Sequence, residues 1–250
     1  MSMISRTIAI GDIHGGLKAL EQLIAVLKPT ASDRLVFLGD YVDGWSESAQ
    51  VIDYLIRLNQ SVNCVFIKGN HDVLCESWLG GQLLKDAWLY GHGASTVKSY
   101  AGYSAAQRMV HLDFFRSMSY FFTDEQNRLF VHGGFTAADG PAFELLPDIL
   151  TKDRTLLELA ITMNKRVVTH PALMPKKLAR FKAIYIGHTP TINYDSFVPI
   201  HACNVWDVDT GAGFYGRLTA LDIDAEKIYQ STPLPELYPD EPGRNKYPGW

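Results

Sequence analysis

Six short blocks between residues 11 and 211 combine glycine with aspartate, asparagine or histidine. Imidazole nitrogens and carboxylate or amide oxygens are the ligands that proteins offer to divalent cations. Two such ions held together can lower the pKa of a water molecule, so that hydroxide becomes available at neutral pH for attack on a phosphate ester. The residue types therefore predict a two-metal hydrolytic centre. The blocks are Gly11-Asp12-Ile13-His14-Gly15, Gly39-Asp40-Tyr41-Val42-Asp43-Gly44, Gly69-Asn70-His71-Asp72, His132-Gly133-Gly134, Gly187-His188-Thr189 and Asp209-Thr210-Gly211.

The order of the blocks resembles that of the calcineurin-like metallophosphoesterases and, within them, of the phosphoprotein phosphatase family. The family signatures GDxHG, GDxVDRG, GNHE/D, HGG and GHT have counterparts here in the same order, across about residues 4–220. The stretch 88–100 is similar to a W…GG…T…SY block that is typical of bacterial phosphatases and of symmetrical dinucleoside tetraphosphate hydrolases. Asp72, where eukaryotic members usually carry glutamate, also indicates the bacterial type.

The resemblance implies a dinuclear metal site. In the family's pattern Asp12 and His14 hold the first metal, and Asp40 bridges both metals. A bridging carboxylate allows two cations to lie only about 3.5–4 Å apart despite their repulsion. The expected cofactor is a pair of divalent metal ions, with Mn²⁺ as the first choice and Fe or Zn as alternatives. The ligands of the second metal would be Asn70, His132 and His188.

The histidine that directly follows the asparagine ligand has a different implied role. In the family, the residue matching His71 protonates the leaving oxygen, and the residue matching Asp43 orients that histidine. A carboxylate beside an imidazole favours the charged ring, which is the form that a general acid needs at neutral pH. The alternative is that His71 only caps a helix that begins at Asp72.

One family residue is missing from the second block. The arginine that follows the second aspartate, and that binds phosphate bidentately in the family, is replaced by Gly44. By resemblance to a (W)DR segment, Arg154 is expected to be the remaining catalytic, phosphate-binding arginine, with Asn70 beside it. Trp45 is expected at the mouth of the site, where it could stack on a base or pack against a peptide. If the missing guanidinium weakens phosphate binding, Gly44→Arg should restore it.

The segments that carry these blocks alternate between strand and helix. Apolar runs at 7–10, 35–38 and 62–67 are interpreted as buried strands, and helical spacing of apolar residues at 17–27 and 46–58 predicts helices between them. Strands joined by helices in this way form a parallel sheet. Each of the first three blocks begins just past the carboxyl end of a strand, where open α/β sheets bind their ligands. The blocks are therefore expected to converge at one sheet edge.

The remainder of the chain predicts a second sheet. A helical insertion is expected over about 73–120, and alternating residues at 198–230 indicate further β-structure. The predicted fold class is α/β, with two mixed β-sheets packed as a central sandwich and flanked by helices, as in the calcineurin-like metallophosphoesterase fold. One domain is expected over 1–232, followed by a proline-rich tail over 233–250 that is extended or mobile.

The composition is that of an ordinary globular protein and argues against several classes. The 250 residues carry a formal net charge of −4 without a basic stripe, so a nucleic-acid partner is not expected. The chain lacks an apolar run long enough to cross a membrane, and its beginning lacks the apolar stretch of a signal peptide, which predicts a cytoplasmic protein. Cys64, Cys75 and Cys203 are odd in number and widely spaced, so free thiols are expected.

The sequence leaves three functions open, and with them the oligomeric state. The first is a phosphatase that removes phosphate from a phosphorylated protein or a small phosphoester, in particular a serine/threonine protein phosphatase. The second is a symmetrical dinucleoside tetraphosphate hydrolase or a nucleotide phosphodiesterase, which Gly44, Trp45 and the aromatic insertion favour. The third is a non-catalytic scaffold on the same fold. The complete ligand set argues against the scaffold, because buried carboxylates without a cation would be costly.

Overall fold

Two β-sheets of five strands each form the centre of the protein in a computed structural model, which describes residues 4–246. Within each sheet some neighbouring strands are parallel and others antiparallel, so both sheets are mixed. In chain order the strands are β1 (Arg6–Ile10), β2 (Asp33–Phe37), β3 (Asn63–Phe66), β4 (Phe121–Thr123), β5 (Arg128–Val131), β6 (Ala183–Ile186), β7 (Ile200–Ala202), β8 (Val205–Asp207), β9 (Thr219–Asp222) and β10 (Lys227–Gln230).

Helices connect the strands and cover both faces of the sandwich. The α-helices are α1 (Leu17–Leu27), α2 (Ser48–Leu58), α3 (Asn70–Leu79), α4 (Ala94–Ser99), α5 (Ala105–Ser117), α6 (Pro147–Lys152), α7 (Thr155–Thr169), α8 (Lys176–Ala179) and α9 (Leu234–Leu237). A π-helical turn spans Trp88–His92, and 3₁₀ turns span Pro141–Phe143, Pro171–Leu173, Thr191–Tyr194 and Gly243–Lys246.

The first sheet has the strand order β10-β9-β1-β2-β3. β1, β2 and β3 are parallel, with α1 and α2 as the connections between them, and β9 and β10 complete the sheet in antiparallel fashion. The apolar side of α1, which includes Leu20 and Leu23, is buried against this sheet. The three strands and two helices predicted at the beginning of the chain are thus present.

The second sheet has the strand order β4-β5-β6-β8-β7. β5, β6 and β8 are parallel at its centre, and β4 and β7 are antiparallel at its edges. The two sheets pack face to face, because a single buried cluster joins Val36 of β2 with Phe130 of β5 and Tyr185 of β6. Two mixed sheets flanked by helices confirm the predicted fold class.

The segment between β3 and β4 is mainly helical and contains α3, α4 and α5. Trp78 and Tyr100 pack edge to face at 5.5 Å in this segment, and Phe115 of α5 is fully buried. This segment lies beside the sheet edge at which the sequence blocks are expected. Its role at that edge is described below.

The end of the described chain is folded onto the first sheet and its helices. Leu234, the first residue of α9, and Tyr238, which directly follows this helix, are both buried. The expectation of an extended tail is therefore wrong for residues 233–246, called the C-terminal segment below, and residues 247–250 lie outside the described part. Proline does prevent long helices here, but long-range packing of its apolar residues still orders the segment.

Within residues 4–246, no helix combines the length and the apolar character that crossing a membrane requires. Cys64, Cys75 and Cys203 are free thiols, as predicted. Burial raises the pKa of the Cys75 thiol well above its usual range, so this sulfur behaves as a small apolar group.

Candidate active site

Residues from both sheets converge at one edge of the sandwich. Asp40 follows β2 and His132 follows β5, yet Nε2 of His132 lies 3.3 Å from Oδ2 of Asp40. Asp12 follows β1, and its carboxylate accepts a hydrogen bond of 3.2 Å from the backbone N–H of His188, which follows β6. The convergence therefore joins the carboxyl ends of parallel strands from two sheets, whereas the sequence pattern indicated it for one.

A first group of side chains with metal-ligand character contains His14, Asp40 and His71. Nε2 of His14 lies 3.8 Å from Oδ2 of Asp40 and 3.8 Å from Oδ2 of Asp12. Donor atoms bound to one cation at about 2.1 Å lie roughly 3–4 Å from one another. Asp12, His14 and Asp40 are therefore close enough to share an ion.

A second group contains Asp40, His132 and His188, whose ligand atoms lie within 4.8 Å of one another. Asn70 belongs beside it, since its Oδ1 lies 3.3 Å from Nε2 of His132. Asp40 is common to both groups, and it is buried, with 1% of its surface exposed. A carboxylate shared in this way is the feature that two-metal sites require of a bridging ligand.

The carboxylates at this edge are buried close together. Asp12, Asp40 and Asp209 are each at most 2% exposed. Burial, together with the charges of Asp209 and Asp40, raises the pKa of Asp12 well above its usual range, and burial raises the pKa of Asp209 to about 6. Such a concentration of negative charge is costly unless cations offset it. The donors and their charge therefore fit two divalent metal ions, and they suit Mn, Fe or Zn alike.

Backbone carbonyls set the orientation of two of the histidines. Nδ1 of His14 lies 2.8 Å from the carbonyl oxygen of Asp43, and Nδ1 of His132 lies 2.8 Å from that of Leu38. A ring whose Nδ1 donates to a carbonyl keeps its Nε2 lone pair for another partner. Both Nε2 atoms face Asp40, so the hydrogen bonds from Nδ1 to the backbone carbonyls select the tautomer that can bind a metal ion.

Several site residues adopt backbone conformations that are unfavourable for side chains. The φ angles of His14, Asp40, Asp43 and His188 are 50°, 53°, 66° and 68°. A non-glycine residue in this left-handed region costs about 1–3 kcal/mol and persists only where the surroundings impose it. The sharp turns after the strands therefore hold these four side chains at the sheet edge at a conformational cost.

Two glycines allow backbone to approach the carboxylates directly. A Cβ on Gly69 would overlap Oδ1 of Asp40, and a Cβ on Gly187 would overlap Oδ1 of Asp12. The close approach lets backbone N–H groups reach the acids, as in the 3.0 Å hydrogen bond that His71 N donates to Asp40. Glycine is thus required at both positions by space rather than by flexibility.

Gly69→Ala should lower the number of metal ions bound per chain, because the added methyl group displaces the Asp40 carboxylate. Metal content after incubation with Mn²⁺ and desalting, measured by mass spectrometry, checks this result. Gly102→Ala is the matched control, since no atom lies within 4 Å of the methyl group that it adds. Unchanged metal content in Gly69→Ala would contradict the geometry described here.

His71 and Asp43 form a buried pair next to the two groups of ligands. Nδ1 of His71 lies 2.8 Å from Oδ2 of Asp43, and the same oxygen accepts a 2.7 Å hydrogen bond from Nε1 of Trp88. Oδ1 accepts a 2.5 Å hydrogen bond from Oγ1 of Thr96. The helical segment between β3 and β4 therefore fixes Asp43, and Asp43 fixes the ring of His71.

The roles of Trp88 and Thr96 were not assigned from the sequence. The resemblance pointed to the block at 88–100 that contains both residues, but it did not indicate what their polar groups bind. His71 lies in the first turn of α3, and Asp72 accepts hydrogen bonds from the backbone N–H groups of Gly69, Asp40 and Tyr41. It is Asp72 rather than His71 that caps the start of this helix.

A cavity of about 690 Å³ opens at this edge of the sandwich. Its polar wall is formed by Asp40, Asn70, His71, His92, Lys152, Arg154, His188, Asn193, Arg244 and Asn245, and its apolar wall by Leu74, Trp88, Pro190, Ile192, Phe214 and Tyr215. Cationic and aromatic groups thus line a space that begins at the candidate metal ligands. Lys152 and Arg244 were not assigned from the sequence. Lys152 shares the segment of Arg154, but no local pattern pointed to Arg244.

Arg154 lies at the wall of the cavity and immediately before α7. Asp153 caps this helix, because its carboxylate accepts hydrogen bonds from the backbone N–H groups of Thr155 and Leu156. Burial and His132 lower the pKa of His188 to about 3, and the charge of Arg154 adds to that decrease. Arg154 and His188 line the same cavity.

Trp45 does not lie at the mouth of the site. Its side chain is 0% exposed, its Nε1 donates a 2.7 Å hydrogen bond to the carbonyl of Ala212, and its ring stacks on Tyr238 at 5.2 Å. The expectation that Trp45 binds substrate is therefore wrong. The indole is a packing element, because the C-terminal segment covers the face that the sequence suggested was open.

The expectation that Gly44→Arg would restore phosphate binding is also wrong, because the backbone at this position does not accommodate a side chain. Gly44 has a φ of 152°, and a Cβ there would lie 2.8 Å from the carbonyl oxygen of His14. Gly44→Arg would thus strain the turn that presents His14 instead of adding a phosphate-binding group. The chain does not have room for the family's arginine at this position.

The comparisons with known proteins agree with this geometry. The model of the calcineurin-like phosphoesterase family matches residues 5–192. A protein of Pseudomonas putida named symmetrical bis(5'-nucleosyl)-tetraphosphatase is 29% identical over 160 residues, which cover 61% of this chain and 52% of that protein. The chain spans about half or less of the length of the curated relatives that it matches.

Two solved structures share the fold at low sequence identity. One, described provisionally as a diadenosine tetraphosphatase, has a TM-score of 0.63 and 18% identity, with 92% of this chain and 94% of that chain covered. The other, a protein serine/threonine phosphatase from Saccharomyces cerevisiae, has a TM-score of 0.57 and 14% identity, with 91% and 80% covered. Since the family model matches most of the sequence and the fold agrees, the chain belongs to the calcineurin-like phosphoesterase family.

Proposed function

We propose that the chain is a metal-dependent phosphoester hydrolase that works through a dinuclear metal site. The observation that carries the proposal is the Asp40 carboxylate, which is shared by two groups of ligands at one edge of the sandwich. Asp12 and His14 would complete the first site, and Asn70, His132 and His188 the second. A scaffold would have no use for this buried and strained ligand set.

The other residues of the cavity would position the substrate and move a proton. When bound, two divalent ions would supply a water of lowered pKa and would offset the charge of the phosphate. Asp43 holds Nδ1 of His71, so that Nε2, which lies 4.0 Å from Oδ2 of Asp40, can give its proton to the leaving oxygen. Arg154 and Asn70 line the same cavity and would donate hydrogen bonds to phosphate oxygens.

Among substrates, a dinucleoside tetraphosphate is the first candidate. The curated relatives are named for this activity. Arg154 and Arg244 supply two positive charges to the wall of the cavity, which suits a polyphosphate chain, and Phe214 and Tyr215 supply aromatic surface for a base. A serine/threonine protein phosphatase, the first prediction from the sequence, is the second candidate, because the same centre would hydrolyse a phosphomonoester. The cytoplasmic location stays a prediction.

A substrate panel separates these candidates. The chain reconstituted with Mn²⁺ would be assayed against diadenosine tetraphosphate, p-nitrophenyl phosphate, bis-p-nitrophenyl phosphate and a phosphoserine peptide. We expect the highest kcat/KM for diadenosine tetraphosphate, with two ADP per molecule, and loss of all activity with a chelator. A preference for the phosphopeptide would favour the protein phosphatase, whereas no hydrolysis of any substrate by protein with two bound metals would refute the proposal.

Arg154→Met should raise KM for the preferred substrate about tenfold or more, because one charge-assisted hydrogen bond contributes about 1.5–3 kcal/mol. Arg154→Lys should recover only part of the loss, since an ammonium group lacks the planar fork that binds phosphate bidentately. Steady-state kinetics checks both variants. Arg166→Met, in the last turn of α7, removes the same charge from an exposed position and is the control. A silent Arg154→Met would show that phosphate is held elsewhere.

A further inference from the structure

A guanidinium from the C-terminal segment lies beside the position where the family's arginine is missing. A Cβ built on Gly44 would lie 3.5 Å from Cγ of Arg244. The side chain of Arg244 then continues into the site, where its Nη1 lies 3.0 Å from Nε2 of His14. Arg244 thus brings a positive charge to the first group of ligands from the other end of the chain.

One N–H group of the Arg244 guanidinium, that on Nε, has no acceptor among the described residues. The guanidinium lies over the ring of Phe214, 4.9 Å from the ring centre, and Arg244 lines the same cavity as Arg154. The Nε atom is buried. A buried charged donor without an acceptor is costly unless a ligand supplies one. An anionic oxygen in the cavity would satisfy it.

Backbone and ring packing hold Arg244 in this place. Its backbone N–H donates a 2.9 Å hydrogen bond to the carbonyl of Gly213. The preceding Gly243 lies flat against Trp45, since a Cβ there would come within 2.7 Å of the indole. The left-handed φ of 55° at Gly243 is also one that glycine adopts without strain. The turn before Arg244 therefore packs against the buried indole of Trp45.

The residues next to Trp45 attach the same segment. Ser46 donates hydrogen bonds of 2.9 Å and 2.6 Å from its N and Oγ to the carboxylate of Glu241. Glu47 accepts a 2.5 Å hydrogen bond from the hydroxyl of Tyr238. The three residues that follow Gly44 thus form the attachment site of the C-terminal segment. The family pattern has an arginine in this loop. In this chain the loop instead binds the C-terminal segment, and that segment carries Arg244.

We propose that Arg244 is the second phosphate-binding arginine of this site and acts together with Arg154. This inference rests on the proposed function and identifies the anionic oxygens of the substrate phosphate as the ligand. The lone pair on Nε2 of His14 cannot accept from Arg244 and bind a cation at the same time. A metal ion at His14 would therefore release the guanidinium to donate to a phosphate, two of whose oxygens can accept two parallel hydrogen bonds.

Binding of inorganic phosphate to the Mn²⁺-loaded protein, measured by calorimetry, tests the assignment without turnover. Arg244→Met should weaken phosphate binding about tenfold or more, as expected for one lost charge-assisted hydrogen bond, while Mn²⁺ stoichiometry stays at two. Arg244→Lys keeps the charge and the backbone contacts, and it should show a smaller loss. Arg166→Met, which removes an exposed positive charge from α7, should bind phosphate like the wild type.

The outcomes separate this inference from the proposed function. Wild-type phosphate affinity in both Arg244→Met and Arg244→Lys would overturn the assignment, even if the protein hydrolyses phosphoesters. Weakened phosphate binding in both variants, at an unchanged melting temperature, would support it even if the panel of substrates gave no turnover. Loss of Mn²⁺ together with phosphate in Arg244→Lys would also overturn it, because Arg244 would then support the metal ligands instead of the substrate.

Discussion

Asp40→Asn should abolish hydrolysis and reduce the metal content below two ions per chain. The Asp40 carboxylate belongs to both groups of ligands, with Nε2 of His132 at 3.3 Å and Nε2 of His14 at 3.8 Å from the same oxygen. An amide oxygen carries no full negative charge, so it cannot hold together two cations that repel each other. We expect kcat/KM to fall well beyond the 10–100-fold that is typical for residues that only support a metal ligand.

Metal analysis by mass spectrometry and steady-state kinetics on the same preparation check the Asp40→Asn result. Asp113→Asn, which neutralises an exposed carboxylate on α5, is the matched control and should keep both metals and full activity. Near-normal turnover of Asp40→Asn with two metals bound would exclude a bridging role for Asp40. Loss of one ion with retained turnover would indicate a mononuclear enzyme.

His71→Asn should keep both metal ions and lose turnover about 10²–10⁴-fold, the range of general acid catalysis. The ring is close enough to His14 and Asp40 to belong to a ligand group, so metal content is the measurement that separates an acid from a ligand. For an acid, the loss should also depend on the leaving group. It should be small for p-nitrophenyl phosphate, whose leaving group needs little protonation, and large for an alkyl phosphate.

Equal losses of turnover for good and poor leaving groups would contradict the role of His71 as the acid. Loss of a metal ion from His71→Asn would instead assign the ring as a ligand. Trp88→Phe is an informative companion, because it removes one of the donors to Asp43 and leaves His71 itself in place. A leaving-group dependence of the same kind, but weaker, is expected from it.

Much of the sheet edge that carries the candidate metal ligands could be predicted, because it depends on local sequence patterns. Apolar runs predicted β1, β2 and β3, and the blocks that carry Asp12, Asp40 and Asn70 follow the carboxyl ends of these strands. The parallel arrangement then brings those ends together whatever the length of the connections. The roles of His132 and His188, which follow β5 and β6, needed the resemblance, because residue patterns indicate strands there but do not show which strands lie side by side.

The errors concern contacts between distant parts of the chain. Trp45 lies in a loop with glycine, serine and glutamate, a composition that is typical of an exposed turn. Its burial depends on a hydrogen bond to Ala212, 167 residues further along the chain. Arg244 contacts His14 across 230 residues. The proline-rich composition of the C-terminal segment shows that it cannot form a long helix, but it does not show what the segment packs against.

The strained and acidic ligand set links the amount of folded protein to the supply of metal. Four site residues have positive φ angles, and the buried aspartates repel one another, so the metal-free fold carries costs that bound cations offset. An ion that binds only the folded chain stabilises it by about 2.7 kcal/mol when its concentration is 100 times its Kd. In a cell that restricts its divalent ions, the abundance of this protein would then fall together with its turnover. A shortage of divalent ions would therefore lower the total activity in two ways. It would reduce the turnover of each molecule, and it would reduce the number of molecules through degradation of the unfolded chain.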